Sequence, residues 1–114
     1  MRYKIKETDE ALEDLGLISI QRFRYFGSLI SGDTFLSKYD KAVASLTPFP
    51  KGFNGREIFY RSYEIRLLPF DDYYIFFVFR EVHQDVVILR VLHKAQNWKK
   101  IMVNKTFHIH DEAI

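Results

Sequence analysis

The feature that most constrains this chain is a change of hydrophobic period near its middle. Up to Leu46 the apolar residues recur every three or four positions, which is the spacing of one helix face. After Gly55 they alternate with period two, as on a strand whose two sides differ. Thr47-Pro48-Phe49-Pro50 stands between the two regimes, and proline cannot continue a helical hydrogen-bond ladder. Helices followed by consecutive strands bury their apolar sides by stacking one layer on the other, which defines a two-layer α+β domain. A length of 114 residues leaves room for one core.

Arg2 to Lys6 alternates Tyr3 and Ile5 with basic residues and reads as a short first strand. Thr8 is a cap for the helix that follows, and Asp9 and Glu10 place negative charge where the helix dipole favours it. The 3–4 spacing of Ala11, Leu12, Leu15, Ile18, Arg22, Phe23 and Phe26 predicts an amphipathic helix ending near Gly27. A second helix opens at Ser31-Gly32-Asp33, with Phe35, Leu36, Tyr39, Ala42, Val43 and Leu46 on its inner side. Lys51 to Gly55 is a loop. Strands are predicted over Glu57–Tyr60, Tyr63–Leu68, Tyr73–Arg80 and Val86–His93, with turns at Pro69–Asp72 and Val82–Asp85. Ala95 to Met102 forms a short helix. Residues 1–103 then make one domain and residues 104–114 a tail expected to fray. The order is β-α-α followed by three or four consecutive strands, a β-α-α-β-β-β fold with an antiparallel sheet core and a helical hairpin on one face, the other face left free.

Composition narrows the chemistry. There is no cysteine, which removes disulfides and thiolate catalysis and agrees with a reducing cytoplasm. Met1 to Lys6 carries no apolar run, so no secretory signal is expected, and no run is long enough to cross a bilayer. Eleven Phe and seven Tyr exceed what one small core needs, which points to an aromatic interface. The net charge of +2 is unevenly spread: Glu7 to Asp14 holds five acids, whereas Val86 to His110 holds Arg90, Lys94, Lys99, Lys100 and Lys105 and no acid. That basic third either favours an anionic partner or is a solvated face.

The strand order, Tyr73-Tyr74-Ile75-Phe76-Phe77, and Ile88-Leu89-Arg90-Val91-Leu92-His93 followed by Gln96-Asn97-Trp98 resemble the RelE/ParE toxins over roughly residues 2–102. The Phe49-Pro50 step after the second helix matches as well. The resemblance implies a cytoplasmic toxin of a type II toxin–antitoxin pair, with a cognate antitoxin as partner, no cofactor, and a homodimer or a heterotetramer with the antitoxin as possible assemblies. It also implies an open, basic sheet face for the target. ParE-like members are associated with poisoning DNA gyrase, and RelE-like members cut mRNA on the ribosome. A member of the family that has lost its toxicity is a third reading.

RNA cleavage of the RelE kind needs a general base, a general acid and cations near the phosphate. RelE-like members usually place an arginine directly after the first aromatic of the penultimate strand; Tyr74 stands there instead, which favours the ParE-like branch. If the chain is a nuclease, its candidates are Tyr74, His93, Arg66 and Arg90. The candidates for binding a target or nucleic acid are Arg56, Arg61, Lys94, Trp98, Lys99 and Lys100. Arg66 either meets the target or makes a surface ion pair. Arg90, inside an apolar strand, either faces an open groove or pairs with Glu57, Glu64 or Glu81. His93 is either a proton carrier or a structural imidazole. His108 and His110 lie on one side of an extended segment, but no third ligand is near in sequence, so no metal site is expected.

Overall fold

One buried threonine organises the start of the chain. In the computed structural model, which describes residues 3–27, 29–53, 55–103 and 105–110, strand β1 spans Lys4–Glu7 and helix α1 spans Asp9–Phe26. Thr8 lies between them, wholly buried; its hydroxyl accepts the Ala11 N–H at 2.9 Å and donates to the Leu89 carbonyl at 2.8 Å. It therefore caps the helix and pins it to the sheet at once. Gly27 ends α1 at φ 67, a left-handed conformation that suits glycine, with its N–H on the Phe23 carbonyl. Helix α2, Leu29–Ala44, begins earlier than Ser31 and packs back against α1. A single 3₁₀ turn at Pro50–Gly52 interrupts the expected loop.

Four strands follow: β2 Gly55–Tyr60, β3 Tyr63–Phe70, β4 Tyr73–Arg80 and β5 Asp85–His93, and then a short helix α3, Trp98–Met102. The sheet order is β1-β5-β4-β3-β2, antiparallel throughout except that β1 runs parallel to β5. The α+β reading with an antiparallel core stands, and the parallel pair exists because both helices lie in the connection that follows β1. Strand β3 runs on through Pro69, which had read as a turn. The pairing with β2 reaches only Arg66, so Pro69 sits where β3 is itself an edge and no N–H is required. At Gly55 the Glu64 carboxylate lies over the backbone, so a larger residue there would displace that movable side chain.

The two sheet faces carry separate cores. Tyr73, Ile75 and Phe77 of β4 face the helices and meet Ala11, Leu15 and Ile18 of α1 and Phe35, Tyr39 and Val43 of α2. Phe76 and Val78 face the opposite way with Ile65, Leu67, Val87, Leu89 and Leu92. This second face is not free, contrary to expectation. Met102 and Phe107 are buried on it, and Trp98, Ile101 and Ile109 pack around them. The face is too apolar to stand in water, and α3 with the segment beyond it supplies the cover. Tyr60 donates to the Phe107 carbonyl at 3.0 Å, and Ile109 forms a β-bridge with Thr8. Residues 105–110 therefore cross this face as a strap.

A β-bulge breaks the alternation of β5. Phe76 lies opposite Arg90 but Phe77 lies opposite Ile88, so Leu89 is the extra residue. Before the bulge Val86 and Ile88 face the helices; after it Val91 does, while Leu92 turns to the second face. Unbroken alternation from Ile88 puts Leu92 on the helix side, and the bulge is what sends it to the other face.

Candidate functional site

The end of β5 gathers most of the candidate residues. Beyond Ile88 the strand has lost its β1 neighbour, which stops at Glu7, and α1 crosses the vacated edge. There Asp14 accepts the Val91 N–H at 3.0 Å and holds Arg90 with both oxygens, at 2.7 Å to Nε and 2.9 Å to Nη2. Those hydrogen bonds raise the Arg90 pKa above its ordinary value in spite of burial, so the guanidinium stays charged. The partner is thus Asp14 rather than Glu57, Glu64 or Glu81. Asp14 was missed by sequence reasoning, although it adjoins the Leu15–Ile18 stripe, where a carboxylate near the core calls for a cation.

His93 closes the strand. Its ring meets Tyr73 edge-on with centroids 5.6 Å apart, its Nδ1 accepts the Ala95 N–H at 3.0 Å, and its own N–H donates to Gln96 Oε1 at 2.9 Å. His93 and Arg90 line one pocket of about 330 Å³ between α1 and the end of β5. Gln21 and Gln96, neither named as a site residue from the sequence, line it too.

On the other face the same end of the sheet carries a ladder of rings with lysines at its extremities. Lys94 Nζ lies 5.6 Å from the Tyr74 ring, Tyr74 meets Phe76 edge-on at 6.1 Å, Phe76 meets Trp98 at 5.4 Å, and Lys99 Nζ lies 5.8 Å from Trp98. These distances suit cation–π contact. Phe76 is buried, Tyr74 and Trp98 are half-buried, and Lys94, Lys99 and Lys100 are exposed. Asn97 caps α3 by accepting the Lys100 N–H, which leaves the lysine side chains of that first turn on the outside.

The remaining candidates lie elsewhere. Arg61 occupies the β2–β3 turn at φ 57, over the Tyr60 ring, at the end of the sheet opposite Lys94. Arg56 is exposed on the edge strand β2. Arg66 bonds the carbonyls of Lys51 and Phe53 through Nη1 and braces the 3₁₀ turn, which is neither of the roles weighed for it. Arg90 and His93 share the pocket, Tyr74 is on the opposite face, and Arg66 is on β3. The four nuclease candidates are therefore not brought to one point. His108 and His110 instead meet Glu10 and Asp9, at 3.1 and 2.8 Å.

The chain is thus a two-layer α+β fold with a basic aromatic ledge at the end of its last strand. A family model described as the ParE toxin of type II toxin-antitoxin system, parDE, matches residues 5–98. The match takes in most of the chain, and the chain belongs to that family. No curated protein and no solved structure matches it. Membership makes the protein a toxin of the type II toxin–antitoxin class and implies an antitoxin partner. No helix among the described residues is long and apolar enough to cross a membrane.

Proposed function

We propose that this toxin arrests growth in the cytoplasm by binding a host protein, DNA gyrase, through Lys94, Tyr74, Trp98 and Lys99, with Lys100 beside them and the buried Phe76 ring beneath. The observation that carries this reading is the ladder itself: the half-buried rings of Tyr74 on β4 and Trp98 at the start of α3 meet the buried Phe76 and are flanked by cations, in a stretch that holds no acid from Val86 to His110. Rings anchored from beneath lose little entropy on contact, and flanking lysines steer an anionic partner. The separation of Arg66, Tyr74 and the Arg90–His93 pair weighs against cleavage of mRNA on the ribosome, because base, acid and cation must converge within hydrogen-bonding reach of one phosphate.

The test is inducible expression in a bacterial host with transcript ends and DNA breaks mapped together. Growth arrest with intact transcripts and induced DNA damage is expected, with arrest abolished by the double change Lys94→Glu, Lys99→Glu in a soluble, folded product. Codon-phased cuts in translated messages would replace this reading with the endonuclease one. Normal growth with soluble wild-type protein would leave a non-toxic member of the family.

A further inference from the structure

Outside the ledge and the α1–β5 pocket, one group of titratable side chains has no part in the function proposed above. It lies where the strap ends on the β1–α1 junction. His108 Nδ1 is 3.1 Å from Glu10 Oε1, and His110 Nδ1 is 2.8 Å from Asp9 Oδ1. A ring nitrogen that close to a carboxylate oxygen is its donor, so Nδ1 carries a proton in both imidazoles. A further proton is then gained at Nε2, which turns each neutral hydrogen bond into an ion pair without moving it. The two histidine side chains are 64% and 53% exposed, so that proton arrives from water with the domain folded.

The strap's other holds do not change with pH near neutrality. Phe107 is buried, Tyr60 donates to its carbonyl, and two backbone bonds join the strap to the junction: Asp9 N–H to the His108 carbonyl at 2.7 Å and His110 N–H to the Glu7 carbonyl at 2.8 Å. The neighbouring charges are engaged or set apart. Glu7 accepts the Tyr39 hydroxyl, Lys6 is turned to Asp85 at 3.7 Å, and Arg61 lies over the Tyr60 ring. Glu13 is exposed one turn further along α1, Lys105 is exposed at the start of the strap, and Asp111 and Glu112 follow His110 in the sequence. The positive end of the α1 dipole, worth about half a charge, opposes a cation there. Two full carboxylates in direct contact outweigh it.

We propose that the strap is fastened by a pH-graded clasp, in which protonation of His108 and His110 draws residues 105–110 more firmly onto Glu10 and Asp9 and over the second sheet face. The clasp loosens as the pH rises and the rings lose that proton, a change that histidine makes between about pH 5 and about pH 8. Its reach extends to α3. That five-residue helix is too short to hold itself, its Met102 is buried in one cluster with Phe107, and Trp98 packs against the same cluster. A seated strap therefore steadies the ledge that Trp98 belongs to. The inference rests on the proposed target site only for what the ledge does; the clasp stands on the geometry of the strap.

The experiment follows hydrogen exchange of the Asp9 and His110 amides in the full chain by NMR, because their bonds exist only while the strap is seated. After correction for the intrinsic exchange rate, protection is expected to rise about fivefold from about pH 8 to about pH 6, roughly twofold for each exposed ion pair. The double change His108→Asn, His110→Asn keeps a neutral donor near each Nδ1 position and removes the charge. Its protection is expected to stay level over that range, which separates the clasp from His83 and His93, whereas Phe107→Ala lowers protection at every pH. Wild-type protection that is flat or falls toward acid overturns the proposal. So does a rise that survives in the double variant, or a double variant already open at about pH 8, where the neutral ties should suffice. The growth-arrest experiment reads the target site separately, so either proposal fails without the other.

Discussion

The two faces of this sheet are equally apolar and are covered in different ways. On one, α1 and α2 lay down two long amphipathic helices, and Phe35, Phe77, Ile75 and Ile88 are lost to solvent. On the other, the cover is a five-residue helix and a strap, anchored by Met102 and Phe107 and tied down by the Tyr60 hydroxyl and by bonds of His108 and His110 to Glu7, Asp9 and Glu10 at the β1–α1 junction. The first cover has no way to leave without unfolding the domain. The second is a local structure whose opening leaves the sheet and both long helices in place. The ladder of rings belongs to this lightly covered face, at the end that the strap does not reach, and this is why half-buried aromatics persist there.

The sharpest way to break that comparison is to remove one phenyl from each cover. Phe77→Ala empties a site closed by helices and sheet, and a loss of about 3–5 kcal/mol is expected in chemical denaturation. Phe107→Ala is expected to cost about 2 kcal/mol, because release of the strap caps the penalty. Equal losses would make the strap as integral as the helices. Asp14→Ala should fall between them, at about 3 kcal/mol, since it strands Arg90 and the Val91 N–H where α1 crosses β5. A change below about 1 kcal/mol would show that water replaces the carboxylate there.

The helix side can be probed alone through pH. Tyr39 is buried and donates to Glu7 at 2.8 Å, and burial together with the Glu7 and Asp40 charges pushes its pKa far above the ordinary value. In the unfolded chain it ionises near about pH 10. A raised folded pKa means that the stabilisation is complete below that pH and is lost as pH rises above it. Stability should therefore fall more steeply from about pH 9 to about pH 11 in the wild type than in Tyr39→Phe, by up to about 1.4 kcal/mol per pH unit. Parallel slopes would mean that the hydroxyl reaches solvent. The smallest effect belongs to the ladder: Lys99→Ala should change stability by less than about 0.5 kcal/mol, because its side chain is exposed. A larger change would make Lys99 part of the cover over Phe76.

Much of the fold was legible because local chemistry and global architecture agree. Thr8, Asp9 and Glu10 announced the start of α1, Gly27 its end, and Pro48 and Pro50 the limit of the helical half. Period two by itself divides β4 into Tyr74, Phe76 and Val78 against Tyr73, Ile75 and Phe77, which is the division the two cores show. The site was less legible. Lys94, Trp98 and Lys99 were named from the sequence, but only the ring contacts join Tyr74 to them, Gln96 stood in the family motif without a role, and Gln21 carried no signal.

What the sequence determined by itself is therefore the order of elements, their caps and the faces of the regular strands, because each depends on neighbours a few residues apart. What tertiary structure alone decided is the bulge at Leu89, the Asp14–Arg90 clamp, the brace of Arg66 on the 3₁₀ turn and the burial of Phe107. Each of these joins residues that are distant in the chain or shifts a register by one, and no local period encodes either. A one-residue slip redirects every side chain after it, and a charge in an apolar strand takes whichever partner the packing brings within reach.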